Sequence, residues 1–227
     1  LAKQLSSMDQ FSGGRLLMGM ASGWYKREFD AMGIPFDKRG KLMDENLEIM
    51  RRLWSEPMVD GKYMAHDISA AVMYPKPAQQ PTLPILIGGY VDRVLQRAAT
   101  VGDGWLTYFY PPEAFAKSWA KLRNFAKEGG KDPDKLLNAS QLPIMIGPSK
   151  AAVQDEMNEW LIKEWDFPEH SDCSRESAIM GNVDECVEQL KAHQAVGVQK
   201  IIFVPYKYRM DQVELIAKEI IPRLRAK

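Results

Sequence analysis

The sequence predicts an α/β fold built on a parallel sheet, and three observations predict it. Five short runs, residues 16–20, 84–87, 105–108, 142–146 and 201–204, are apolar along most of their length, as strands buried on both faces must be. The segments between them carry helical spacing and are long enough to return the chain to a parallel neighbour. Glycines and prolines stand at the junctions, at Gly13-Gly14, Gly88-Gly89, Gly102, Gly104 and Pro111-Pro112. A closed barrel and an open doubly wound sheet both satisfy this alternation.

Taken in order, residues 1–8 read as a helix stopped by Ser12-Gly13-Gly14, and residues 16–20 follow as a buried strand. Asp37 can cap the next helix. There Met43, Leu47, Met50 and Trp54 share one face, and Glu48 with Arg52 makes an i,i+4 pair on the other. Residues 55–81, with Gly61, Pro75, Pro77 and Pro81, read as a surface excursion holding a β-hairpin. The strand at 84–87 ends in Gly88-Gly89, and a helix runs over about 91–100. After the strand at 105–108, Pro111-Pro112 opens a helix reaching about residue 127. The strand at 142–146 leads into a helix over about 150–162. Residues 164–180 are polar and irregular, a candidate loop or lid. Asn182 with Glu185 forms a capping-box start for a helix carrying Val183, Val187 and Leu190, with Gly197 just past its end. After the strand at 201–204, Asp211 can cap the last helix. Its inner face would be Val213, Ile216, Ala217, Ile220 and Leu224, and Pro222 should kink or end it. Nothing divides the chain, so a single domain over residues 1–227 is expected, with excursions at about 55–81 and 164–180.

Composition bounds the function. Apolar residues make up 45% and charged residues 26% of the 227 residues, as in a soluble globular protein. Thirty basic residues balance thirty acidic ones, so no general affinity for nucleic acid or an anionic membrane is expected. Two cysteines, Cys173 and Cys186, are too few for a disulfide framework or a cysteine-based zinc site, and the cytoplasm is the expected compartment. His66, His170 and His193 share no metal-ligand spacing, so no metal centre is expected. His193 reads as a surface helical residue. The thirteen methionines read as core filler.

Several strings in order, LAKQLSSMDQFSGGR, LLMGMASGW, RGKLMDENLEIMRRLW, PILIGGY, VGDGWLTY, GNVDECVEQL and GVQKIIF, resemble the luciferase-like monooxygenase family. The resemblance covers nearly the whole chain. It implies a (β/α)8 TIM-barrel-type fold, incomplete here, with about five parallel strands present and the first three missing. It also implies a flavin-type cofactor, reduced FMN or the deazaflavin F420. With FMN, oxygen would be activated and an organic substrate oxygenated; with F420, a hydride would pass to or from the substrate. The run GWYKREFDAMGIPFDKRG is more similar to the F420 branch. The family's missing strands supply many groups nearest the reacting atoms, so no catalytic residue is assigned. A homodimer is expected, because helices early in the family barrel form the interface.

Enzymes of this barrel type carry function on loops at the C-terminal ends of strands. Ala21, Ser22 and Gly23 follow the first strand, where small residues admit a flat ring and Ser22 can donate a hydrogen bond. Gly88, Gly89 and Tyr90 precede a helix, where backbone N–H groups and the helix N-terminus favour a phosphate. These six are the candidate cofactor-binding residues. Trp24, Trp105, Tyr108 and Tyr206 are candidate walls of a substrate pocket for a small organic molecule, although barrel core is the plainer reading of Trp105. Arg93 and Arg97 read as solvated helix charges that could pair a phosphate. Arg39, Asp44 and Glu45 read as structural ion pairs. A shortened, non-catalytic flavin-binding protein and an unrelated α/β protein binding a phosphorylated metabolite are the alternative readings.

Overall fold

The structure is a computed structural model that describes residues 1–165 and 175–225. The chain forms two compact units, Leu1–Gly104 and Trp105–Lys227.

In the first unit, helix α1 (Ala2–Ser12) stops where Gly13 and Gly14 take φ of +65° and +76°. Strand β1 (Met18–Met20) follows, then a short helix α2 (Lys26–Ala31) that the sequence pattern did not reveal. Helix α3 (Arg39–Ser55) buries Met43, Leu47, Ile49, Met50 and Trp54, the predicted face plus one residue. Each large apolar side chain hidden this way contributes about 1.5–3 kcal/mol. The Trp54 indole N–H donates to the Ala2 carbonyl at 3.0 Å, which fixes α1 on α3. Asp37 does not cap α3. It lies in a 3₁₀ turn, and no side chain caps that helix. Arg52 pairs with Glu56 at 2.8 Å rather than with Glu48 one turn back. Both reach the same side of the helix end, where Arg52 also donates to the Asp60 carbonyl and the Tyr63 hydroxyl.

The excursion holds the expected hairpin, β2 (Val59–Lys62) antiparallel to β3 (Asp67–Ala71). Strand β4 (Ile85–Gly88) then pairs parallel with β1, and helix α4 (Asp92–Thr100) leaves its end. Asp9, fully buried on α1, accepts from the Gln79 and Leu16 backbone N–H groups and from the Gln79 amide. Burial pushes that carboxyl up, but these hydrogen bonds outweigh it and hold it below the ordinary carboxylate range.

Strand β5 (Gly104–Tyr108) has all but its first residue in the second unit, where α5 (Pro112–Glu128), β6 (Leu137–Ile146) and α6 (Lys150–Trp165) follow in alternation. Strand β6 begins five residues before the predicted run. Its Leu142, Ile144 and Ile146 join one buried cluster and its Met145 joins another, which is why it reads as apolar without alternation. The candidate lid falls largely on residues 166–174, outside the described residues. Its last part, however, is a strand, β7 (Ile179–Gly181), paired parallel with β6. Helix α7 (Val183–Ala195) starts with the predicted capping box, Asn182 with Glu185. Strand β8 (Ile201–Pro205) also pairs parallel with β6.

The last helix opens as α8 (Met210–Leu215), passes through a π-helical turn at Ile216–Ile220 and continues as α9 (Ile221–Arg225). Pro222 therefore widens the helix instead of ending it, since its ring cannot follow an ordinary α turn. Asp211 pairs with Arg209 at 3.0 Å and caps nothing. Ile216 and Ile220 are buried as predicted, whereas Val213 and Ala217 are exposed. His193 is also not a surface residue. It lies on the buried face of α7 with Cys186, Val187 and Leu190 and is 2% exposed. Among the described residues no helix is long and apolar enough to cross a membrane.

Candidate functional site

The parallel register pairs Met18 with Ile85, Gly19 with Leu86 and Met20 with Ile87. Two predicted loops therefore leave neighbouring strands at the same level. Ala21, Ser22 and Gly23 continue from β1, and Gly88, Gly89 and Tyr90 close β4 and lead into α4. Both sets lie at C-terminal strand ends, where this class of fold carries its chemistry.

The β1 loop borders a cavity of about 470 Å³. Met20, Ala21 and Ser22 form one side, Phe29, Ile34 and Pro35 another, and Arg39, Met43 and Asn46 of α3 a third. Ala65 and His66, at the hairpin tip, complete the lining. No acidic residue lines the cavity, and the Ser22 hydroxyl has no partner among the described residues. Gly23 takes φ of +79°, and a Cβ there would lie 2.8 Å from the Phe29 ring, so only glycine fits. Its carbonyl accepts from Arg39 Nε at 3.2 Å. Arg39 stacks over Phe36 at 3.8 Å and has no ion-pair partner among the described residues.

Gly88, Gly89 and Tyr90 do not line that cavity; they are half-buried at the next strand end. Gly89 has φ of +132°, and a Cβ there would meet Val94 at 3.0 Å. Val91 at the N-cap of α4 makes no side-chain cap, and Asp92 stands in the first turn, where its charge offsets part of the helix's positive end.

The arginines of α4 differ from their prediction. Arg93 is exposed, but Arg97 is buried and bonded to Asp44 through Nε–Oδ1 and, at 2.9 Å, Nη2–Oδ2. A guanidinium held on both prongs is neither solvated nor open to a phosphate. Asp44 is thus the structural ion-pair residue expected. Glu45 instead accepts from the Met64 and Ala65 backbone N–H groups.

Of the candidate pocket walls, Trp24 is 54% exposed and packs against Tyr25 at 5.3 Å. The other three belong to the second unit. Trp105 is fully buried, stacked on Phe115 of α5 at 5.2 Å and edge-on to Tyr110. It packs as a core residue of the second unit. Tyr206 is likewise 1% exposed, and its hydroxyl donates to Glu156 at 2.6 Å. Burial and that bond push the Tyr206 phenol up. Tyr108 is half-buried beside Phe109, which takes φ of +50° just past the end of β5. His170 and Cys173 lie outside the described residues. His66 on the cavity was missed, because its placement depends on the hairpin folding back along α3.

Similarity to known proteins agrees with this layout. Residues 1–200 match the family model described as luciferase-like monooxygenase. An uncharacterized protein of Mycobacterium tuberculosis (strain H37Rv) is 34% identical over 131 residues, 58% of this chain and 44% of that protein. The aligned part thus spans less than half of that relative's length. The FMNH2-dependent dimethylsulfone monooxygenase of Pseudomonas putida is 24% identical over 255 aligned residues, 99% of this chain and 70% of that enzyme. Among solved structures, an F420-dependent secondary alcohol dehydrogenase in complex with an F420-acetone adduct superposes with a TM-score of 0.83. It is 20% identical, over 99% of this chain and 74% of that one. The fold class is therefore α/β of the luciferase-like TIM-barrel type. With a family match spanning residues 1–200 and a fold shared over almost its full length, the chain belongs to the luciferase-like monooxygenase family.

Proposed function

We propose that this chain supplies the cofactor-holding strand ends of an oxidoreductase that uses FMN or F420 on a small organic substrate. The observation that carries this reading is the β1–β4 register, which brings the Ser22 loop and the Gly88-Gly89 loop to adjacent strand ends. Relatives with each cofactor type, an FMNH2-dependent monooxygenase and an F420-dependent dehydrogenase, support the class of cofactor.

The residues present fit such a group. A phosphate needs closely approaching backbone, and Gly89 keeps a position open that a Cβ would crowd. The start of α4 adds a favourable partial charge for an anion, opposed by the Asp92 carboxylate in its first turn. A flat ring needs a slot of small residues with a few donors, and Ala21, Ser22 and Gly23 supply it beside the apolar Met20, Phe29 and Met43. When bound, the cofactor supplies the redox equivalent, and the protein contributes binding, orientation and exclusion of water. In this reading Ser22 donates to an oxygen of the cofactor, the backbone at Gly88-Gly89 receives its phosphate, and Trp24 shields the outer side of the β1 loop.

Titration of the chain with FMN and with F420, followed by absorbance and fluorescence, tests this reading. Saturable binding of either, weakened about tenfold in Ser22→Ala through loss of one buried hydrogen bond, is the expected result. Binding unchanged in Ser22→Ala and in Gly89→Val would place the cofactor elsewhere.

A further inference from the structure

The hairpin tip is fastened to α3 by contacts that its own strand pairing does not require. Glu45 sends one carboxylate oxygen to the Met64 N–H and the other to the Ala65 N–H, the latter at 3.1 Å. Its neighbour Asn46 bonds the His66 imidazole through Oδ1 at 3.2 Å. One turn or more further along α3, Arg52 holds the Tyr63 hydroxyl at 2.7 Å and the Asp60 carbonyl at 3.0 Å. The tip residues Met64, Ala65 and His66 are themselves exposed, so they are kept in place by these polar bonds and not by burial. Ala65 and His66 are also the only hairpin residues lining the cavity beside Ser22 among the described residues.

The base of the hairpin carries strain. Ala70 takes φ of +47°, a conformation that costs a residue with a Cβ, and its N–H is bound to Asp60 Oδ1 at 2.6 Å. The strand register shifts between Val59 and Gly61. A strained, bulged base with an exposed tip held by a few polar bonds from α3, those of Glu45 and Asn46 foremost, is the construction of a strap, not of a rigid extension of a sheet.

We infer that the hairpin tip is a closing strap over the Ser22 cavity, with Glu45 as the positioning residue that holds it and His66 as the side chain it presents to the ligand. This rests on the proposed cofactor or substrate role of that cavity. Ligand leaves or enters at this side when the Glu45 contacts open. His66 and Asn46, hydrogen-bonding groups that share a largely apolar lining with Ser22 and Arg39, favour a ligand edge that carries an oxygen rather than a bare hydrocarbon.

The test uses the intact chain and three readouts. The first is NMR amide exchange at Met64 and Ala65. It should quicken at least tenfold in Glu45→Ala, and not in Glu48→Ala, an exposed control on the same helix. The second is relaxation of the Met20 and Met43 methyl signals by the soluble radical TEMPOL. It should rise at least twofold in Glu45→Ala, because both residues line the cavity. The third is release of bound FMN or F420, which should be at least threefold faster. Glu45→Gln, which keeps the side-chain shape and removes the charge, should show the same directions if the alanine variant disturbs α3. Unchanged tip exchange, or faster exchange without a change in methyl relaxation, would overturn the strap. Failure of both cofactors to bind would overturn the cofactor reading alone, since the first two readouts need no cofactor.

Discussion

Met20 of β1 and Ile87 of β4 are register partners in a parallel pair. One residue beyond them the two chains become the Ser22 loop and the Gly88-Gly89 loop. Strand pairing, not proximity in sequence, joins the two candidate halves of the cofactor site. Gly89→Val is therefore predicted to weaken FMN or F420 binding more than tenfold, because the new side chain must crowd Val94 and fill the approach to the α4 N-terminus. Gly13→Ala also replaces a positive-φ glycine, but in open space at the end of α1. It should cost about 1 kcal/mol of stability and leave binding unchanged. Parallel titrations and urea unfolding of both variants check this.

Arg97 and Asp44 tie α4 to α3. Removing one member leaves a charge without its partner, most severely when the buried arginine is left behind. Asp44→Ala is expected to lower stability by about 1–3 kcal/mol, below the full cost of breaking a wholly buried pair because Asp44 is 41% exposed. Urea midpoints for wild type and variant measure it. An unchanged midpoint would return Arg97 to the role of a free cation.

His193 gives the protein a pH dependence. Burial drives its pKa from 6.5 down to about 4, against an opposing pull from the Glu113 charge, and its Nδ1 has no hydrogen-bond partner among the described residues. The unfolded chain takes up the proton near pH 6.5 while the folded chain does not. Stability is therefore flat above about pH 7 and falls as the pH drops from 6.5 toward 4, by about 3 kcal/mol in total. His193→Leu should remove that slope. Thermal or urea unfolding at pH 7.5, 5.5 and 4.5 follows the difference between the two proteins.

Asp9 offers only acceptors to three N–H groups, and asparagine would turn a donor toward one of them. Asp9→Asn is predicted to cost about 1–3 kcal/mol by leaving a buried group unsatisfied. The carboxylate's lowered pKa sets the sign of its own pH effect. The stability it adds is present above the ordinary carboxylate pKa and is lost as the pH falls through the folded-state value. Unfolding curves of the variant at neutral pH supply the check.

The alternation of strands and helices was legible because burial on both faces writes itself into a strand. Leu142, Ile144 and Met145 show this by facing two different clusters. The capping box at Asn182 and Glu185 was legible because it is local. Caps at Asp37 and Asp211 failed because Asp37 is taken into a 3₁₀ turn and Asp211 is drawn to Arg209. Burial of His193 was missed, although Cys186, Leu190 and His193 recur at helical spacing and mark one face. Small residues at strand ends marked Ser22 and Gly89 as loop positions, and both lie in loops. Aromatic character alone did not separate an exposed Trp24 from a core Trp105. His66 reaches the cavity through the hairpin's bonds to Glu45, Asn46 and Arg52 of α3, contacts between separate segments that no local pattern records.

Chemical-shift mapping of backbone amides during titration with FMN and F420 tests the central claim most directly. The account predicts saturable shifts concentrated at Ala21, Ser22, Gly23, Gly88, Gly89 and Tyr90, reaching the first turn of α4. Saturable binding with shifts confined to residues 105–225, or no binding of either cofactor, would contradict it.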